Sequence, residues 1–237
     1  MPDISRIKRE NPTKTSFMEY REREWKGKGM KIKINQQWVP ISKISPFLIK
    51  AVLIAEDDKF WRHEGFDYEA MQKAVEKDIK AKKFKLGGST ISQQLAKNLY
   101  LSPSKNPVRK LAEALITWRM EHILTKKRIL EIYLNIVEWG EGIFGAEAAS
   151  RHYFGKAASD LTPEEASRLA AVLPNPRKYN PAGDHRYVVN RSNLIYGVMV
   201  KRGIVIPEYE EVTGEKGPNQ GGDMQVPFSV EKTKPSD

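Results

Sequence analysis

From Ser45 onward the apolar positions keep a helical period. Ala51-Val52-Leu53-Ile54-Ala55 is a continuous apolar run that ends at Glu56. Ile91, Leu95 and Leu99 recur every four residues behind Thr90-x-x-Gln93, a capping-box pattern that predicts a helix over 88–100. Asn106-Pro107 is an N-cap and first-turn pair for a long helix carrying Val108, Leu111, Leu115 and Trp118. Further helices are predicted over 126–138, 143–153, 163–173 (Thr162 capping, Pro163 in the first turn) and 185–202, with Gly203 as the stop. Tyr68, Met71, Val75 and Ile79 step by three, four and four into one stripe, with Lys73, Lys77 and Lys80 off it. Such a stripe serves equally for packing on a core or for resting in a lipid headgroup layer. Before residue 44 the chain is polar and mixed: Lys31-Ile32-Lys33-Ile34 alternates as a short strand does, and Trp38-Val39-Pro40 continues a small β element. The expected organisation is an extension over 1–43, a mainly α domain over 44–205 and an acidic polar tail over 206–237.

Composition narrows the partners. The 237 residues carry 40 Lys and Arg against 30 Asp and Glu, a net charge of +10. From Pro207 onward seven acids face three lysines, so the tail is at −4 and the rest of the chain at +14. A body that basic favours polyanions: nucleic acid, anionic lipid or diphosphates. The basic residues lack interleaved aromatic stacking platforms, which argues against nucleic acid. No cysteine is present, so disulfides and thiolate metal sites are excluded. No apolar run reaches the roughly 18 to 20 residues of a membrane span, and no secretory signal is visible at Met1.

Three constellations carry candidate chemistry. Glu56 closes an apolar run and is followed by Asp57 and Asp58. A carboxylate at a helix C-terminus is disfavoured by the dipole and, partly buried, gains the raised pKa of a general base. A solvated acidic helix end is the plainer reading of such a cluster. His63 is placed to bond a neighbouring carboxylate or relay a proton; no H-x-x-x-H or H-E-x-x-H spacing marks a zinc site. Second, Gly87-Gly88-Ser89-Thr90 opens a helix whose Gln94, Lys97 and Asn98 flank the Ile91/Leu95/Leu99 stripe, a cradle for an anionic, oxygen-rich group. The G-x-x-x-x-G-K-[ST] order of a nucleotide-binding loop is absent. Third, Arg109, Lys110 and Glu113 share one side of the next helix. They read either as an ordinary ion pair or as two cations and a second carboxylate over a diphosphate. Ser5-x-x-Lys8 and Ser102-x-x-Lys105 lack the K-T-G and S-D-N partners of a serine acyl-transfer site and are chance matches.

In combination these blocks resemble the peptidoglycan glycosyltransferases (glycosyltransferase family 51) of the monofunctional biosynthetic type. E-D-x-x-F-x-x-H-x-G is Glu56, Asp57, Phe60, His63 and Gly65; G-G-S-T-I-x-Q-Q-L-x-K-N runs from Gly87 to Asn98, with Ser92 where many members have Thr; R-K-x-x-E is Arg109, Lys110 and Glu113. Lys126 with Ile129 to Asn135, the glycines 140, 142 and 145, and Leu161 to Pro174 follow in the family's order. The resemblance implies a lysozyme-like α fold with a globular lobe and a smaller membrane-facing jaw. It implies inverting polymerisation of lipid II into β-1,4 glycan strands, with undecaprenyl diphosphate leaving, in cell wall biosynthesis. By position, Glu56 is the base and Glu113 organises the diphosphate end; Lys97, Arg109 and Lys110 meet its charge and Gln94 positions substrate. Asp57, His63, Ser89, Thr90 and Asn98 complete the expected substrate-binding set. Mg²⁺ or Mn²⁺ assistance is implied, with ligands the sequence does not assign and no organic cofactor. The expected partners are lipid II, the growing glycan chain, the membrane surface and cell-division or elongation proteins. The expected place is the outer face of the cytoplasmic membrane, on an anchor that members carry N-terminally and this chain does not show. A lysozyme-like muramidase or lytic transglycosylase, and a non-catalytic scaffold that binds lipid II, are the competing readings.

Overall fold

In a computed structural model of the chain, the helices are laid down by the same local signals. The structure describes residues 2–69, 72, 88–103 and 107–206. Helix α1 is Ser16–Gly27, α2 is Pro46–Glu56, α3 is Ile91–Tyr100 and α4 is Pro107–Ile123. They are followed by α5, Lys126–Ile136, α6, Ala146–Phe154, α7, Pro163–Val172, and α8, Arg186–Lys201. Both capping boxes form: the Thr90 and Thr162 hydroxyls accept the amides of Gln93 and Glu165, whose side chains reach back to the cap backbone. The fold is mainly α, as the sequence predicts.

Helix α2 is the axis of the body. It is apolar on nearly every side, with Leu48, Ala51, Val52 and Leu53 buried, so it needs cover all round. Helices α7 and α8 pack on it and on each other, while α3 packs against α1, α4 and α5. A three-stranded sheet has the order β1-β3-β2: β1, Asn35–Gln36, lies between α1 and α2 in the chain, and β2, Glu138–Gly140, and β3, Ile143–Phe144, lie between α5 and α6. β1 runs parallel to β3 and β2 antiparallel to it. Gly145 then turns the chain into α6 with φ +83°; a Cβ there would stand 2.5 Å from the Asn135 carbonyl oxygen. No other residue fits that approach.

The structure corrects three expectations and adds one finding. Residues 1–43 do not stand apart: α1 packs on α3, and Ile4, Met18 and Trp25 are buried in the common core. The strand lies at Asn35–Gln36, between the two segments predicted to be extended, because the Gln36 amide and the Val39 backbone are bonded to Asn135. The predicted 143–153 helix starts at Ala146, since Ile143 and Phe144 pair as β3 first. Helix α4 exposes the series its sequence carries: Val108, Leu111, Leu115 and Trp118 are 70%, 65%, 43% and 53% exposed, and Glu113, Thr117 and Met120 are buried. The Tyr68/Met71/Val75/Ile79 stripe lies outside the described residues apart from Tyr68, which is exposed. The tail from Pro207 onward and Gly87 also lie outside them.

Candidate active site

Glu56 is the last residue of α2, where the helix has no basic residue of its own to offset the C-terminal dipole. Its side chain is 13% exposed. Gln94, one turn into α3, donates its Nε2–H to Glu56 Oε2 at 2.9 Å. The Tyr133 hydroxyl from α5 donates to Gln94 Oε1 at 3.0 Å, which turns the amide so that its NH₂ faces the carboxylate. Arg191 from α8 lies 3.9 Å from the other oxygen, Oε1. Burial raises the pKa of Glu56 above that of an ordinary carboxyl and the negative charge of Asp57 adds to the rise; the Gln94 bond, Arg191 and Lys97 oppose it. The result is a carboxylate with more base strength than a surface glutamate.

The cationic side is built on α3 and α4. Lys97 is largely buried, which lowers its pKa; Glu113 and Glu56 push it back up, while Arg109 and Lys110 lower it further. Glu113 is 3% exposed and accepts from both cations of its own helix, Arg109 Nη1 at 2.9 Å and Lys110 Nζ. The two carboxylates are thus electrostatically joined through Lys97. A cleft of about 640 Å³ runs past Glu56, lined by Asp58, Gly88, Ser89, Thr90, Gln94 and Arg191 among others. A second hollow of about 240 Å³ continues it, sharing Gln94 and Pro174 and lined by Lys97, Asn98, Glu138 and Arg177. Ser89 is exposed on the rim and Asn98 is buried in the wall.

Asp57, His63 and Thr90 are committed to one another's scaffolding. Asp57 Oδ2 accepts the Ile91 amide at the start of α3, and Oδ1 accepts from His63 Nε2, both at 2.9 Å. His63 Nδ1 takes the Gly65 amide, which fixes the proton on Nε2. The Thr90 hydroxyl donates to the Gly65 carbonyl at 2.7 Å. Gly65 itself, at φ +89°, lies so close to α4 that a Cβ would meet Thr117 Cγ2 at 2.8 Å. These residues lock the end of α2 to the start of α3 and so set the distance between Glu56 and Gln94. Asp57 and Thr90 also line the cleft.

Sequence reasoning did not single out Tyr133 or Arg191. Tyr133 lies within the block Ile129 to Asn135, which locates it without giving its partner. Arg191 is one cation in a helix of mixed polarity and carries no local signal. Arg21 was missed for the same reason; it makes two bonds, at 2.9 and 2.7 Å, to the buried Glu138 and ties α1 to β2.

A buried, strengthened carboxylate on a cleft whose adjoining hollow holds Lys97, in a helical body, defines a site for carboxylate-assisted transfer away from an anionic leaving group; Arg109 and Lys110, gathered on Glu113, line neither hollow. Residues 26–200 match the family model described as Transglycosylase, and the chain belongs to the transglycosylase family. A biosynthetic peptidoglycan transglycosylase of Nitrosospira multiformis is 48% identical over 194 residues, 82% of this chain and 84% of its own length. Those of Aromatoleum aromaticum and Dechloromonas aromatica are 52% and 54% identical, over 80% and 72% of this chain and 84% and 74% of theirs. The mainly helical body accords with the lysozyme-like fold expected from the sequence.

Proposed function

We propose that the chain is a peptidoglycan glycosyltransferase of cell wall synthesis that polymerises lipid II into β-1,4 glycan strands and releases undecaprenyl diphosphate. One observation supports this above all: Glu56 is buried, strengthened as a base and held on one oxygen by Gln94, with Lys97 in electrostatic reach of it and of Glu113. In this reading Glu56 Oε1 takes the proton of the acceptor sugar's hydroxyl as that oxygen bonds to the donor's anomeric carbon. The bond from that carbon to the diphosphate oxygen breaks, and its electron pair leaves with the diphosphate. Attack opposite the leaving group inverts the anomeric centre. Lys97, Arg109 and Lys110 receive the charge that develops, with Glu113 holding the last two in place.

Among the described residues no three His, Cys, Asp or Glu are grouped to hold a metal ion. Mg²⁺ or Mn²⁺ fits this site as an ion that arrives on the diphosphate and needs one or two carboxylates at most, where it would neutralise phosphate charge. The reading puts the protein in the cell envelope, with the active face outside the cytoplasmic membrane. No helix among the described residues is long and apolar enough to cross a membrane. What supports contact with a bilayer is the apolar outer face of α4, with the exposed Trp61 and Tyr68 on the loop whose Gly65 abuts that helix. The following segment, 70–87, has six lysines against two acids, the complement of an anionic surface. The glycosyltransferase domain then comprises the body up to residue 205; division or elongation proteins remain its expected neighbours.

Labelled lipid II tests the reading. Incubation with the protein should give a polymer that a muramidase digests to disaccharide units. Cleavage of finished glycan without polymer formation would favour the hydrolase, and tight lipid II binding without turnover the scaffold.

A further inference from the structure

Arg191 stands where a cation changes the chemistry of Glu56 without touching the oxygen that reacts. It comes from α8 and reaches the far end of α2, 136 residues away in sequence, where its Nη2 donates to the Ala55 carbonyl at 3.2 Å. That carbonyl belongs to the last turn of α2, one of the groups a helix leaves without an internal partner. The same Nη2 is 3.9 Å from Glu56 Oε1, within ion-pair range and beyond hydrogen-bonding distance. Its Nε is buried and has no hydrogen-bond partner in the protein, and the side chain lines the cleft.

The other groups around Glu56 are accounted for. From α3, Gln94 holds Oε2 and Lys97 acts at longer range. From α5, the Tyr133 hydroxyl is spent on Gln94. Next to Glu56 in the chain, Asp57 is saturated by His63 and the Ile91 amide, and Asp58 by Arg202. Among the described residues, Arg191 is therefore the cation nearest Oε1, the oxygen of Glu56 to which no protein donor is bonded. An arginine hydrogen-bonded to Oε1 would occupy the lone pair that has to accept a proton. One pinned on Ala55 keeps the carboxylate ionised and leaves the lone pair open.

We propose that Arg191 is a positioning residue for the base: anchored on the C-terminus of α2, it keeps the buried Glu56 ionised while leaving Oε1 free to take the acceptor's proton. This rests on the assignment of Glu56 as the base. The guanidinium also replaces the basic residue that α2 lacks in its own last turn.

The test is a titration of Glu56 in the full chain by ¹³C-carboxyl NMR, its signal assigned with Glu56→Gln. In Arg191→Gln the Glu56 carboxyl should titrate about one pH unit or more higher than in the parent, the range for losing an opposite charge at this distance. Arg191→Lys, which keeps a positive charge but loses the planar guanidinium that sets its place on Ala55, should give a smaller rise in the same direction. An unmoved Glu56 titration in folded Arg191→Gln overturns the proposal; if that variant does not fold, an unmoved titration in Arg191→Lys does so. With lipid II as substrate, the acidic limb of the kcat/KM profile should move up by the same interval, while kcat on the alkaline plateau and KM change by no more than a few-fold. A uniform loss at every pH with the limb in place would mean that Arg191 only supports the fold. A parent chain with no polymerising activity would sink the assignment of Glu56 as base, and the NMR titration would still decide what Arg191 does to it.

Discussion

Helices α3 and α4 are packed neighbours, and they are built inside out relative to each other. On α3 the apolar stripe of Ile91, Leu95 and Leu99 is buried and the functional side chains stand on its flank. On α4 the carboxylate of Glu113 is inside and the apolar stripe of Val108, Leu111, Leu115 and Trp118 is outside. A buried glutamate is costly unless it is paired, and Arg109 and Lys110 meet that condition. Four large apolar groups on an outer face have no counterpart in the stability of the body in water. α3 is arranged for the fold, α4 for what lies on either side of it.

The largest effect expected is at Glu56, the proposed base. Glu56→Gln keeps the shape and the Gln94 contact but cannot accept a proton, so polymerisation should fall by about 10²- to 10⁴-fold with lipid II binding and the melting curve nearly unchanged. Activity within a few-fold of the parent would move the base elsewhere and leave the flank of α3 facing something other than the reaction centre.

The next test separates the helices by stability. Leu95→Ala, on the inner face of α3, should cost about 2–5 kcal/mol by chemical denaturation, as buried leucines do. Leu111→Ala, on the outer face of α4, should change stability by about 0.5 kcal/mol or less. Similar losses at the two sites would show that the α4 stripe is packed and that the contrast is wrong.

A smaller effect should appear only at a membrane. Replacing Leu111 and Trp118 together by Ser should weaken sedimentation with anionic liposomes by about tenfold or more, since each large side chain gains about 1.5–3 kcal/mol on full burial in an apolar medium. Activity on bilayer-embedded lipid II should fall more than activity on detergent-dispersed substrate. Unchanged liposome binding would leave the outer face of α4 without a role at the bilayer.

The smallest effect concerns pH and stability. Because the folded-state pKa of Glu56 is raised, the folded protein holds a proton that the unfolded chain gives up first. Stability from this group is present at low pH and declines as pH rises from the ordinary carboxyl value through the folded one. Glu56→Gln should therefore match the parent in acid and become slightly more stable above that window. An excess stability that grows towards acid would contradict the burial argument.

Much of this was legible in the chain. Thr90 with Gln93 and Thr162 with Glu165 fix two helix starts through neighbours three residues apart, and Glu56 was readable as a candidate base because its apolar run is contiguous. What escaped depends on residues far apart or on which side water lies. Periodicity locates the stripe on α4 but is blind to the direction it faces. Helix α1 buries only Met18 and Trp25 of its twelve residues, too few to mark it as part of the core. The two-residue strand β1 exists because of partners at Ile143 and Phe144, and the contact of Arg191 with Ala55 spans most of the domain.

The central position of α2 bears on how the protein is made. Its apolar surface is covered mainly by α7 and α8, which begin at Pro163 and Arg186. A ribosome adding about 5–20 residues per second exposes α2 for many seconds before either covering helix has been synthesised. Until then the nascent chain holds an unprotected sticky helix, and Glu56 is an ordinary solvated acid with neither Arg191 nor a closed cleft around it. Catalytic competence arrives with the last helix of the body, and chains stalled before Arg186 should be both inactive and prone to aggregate.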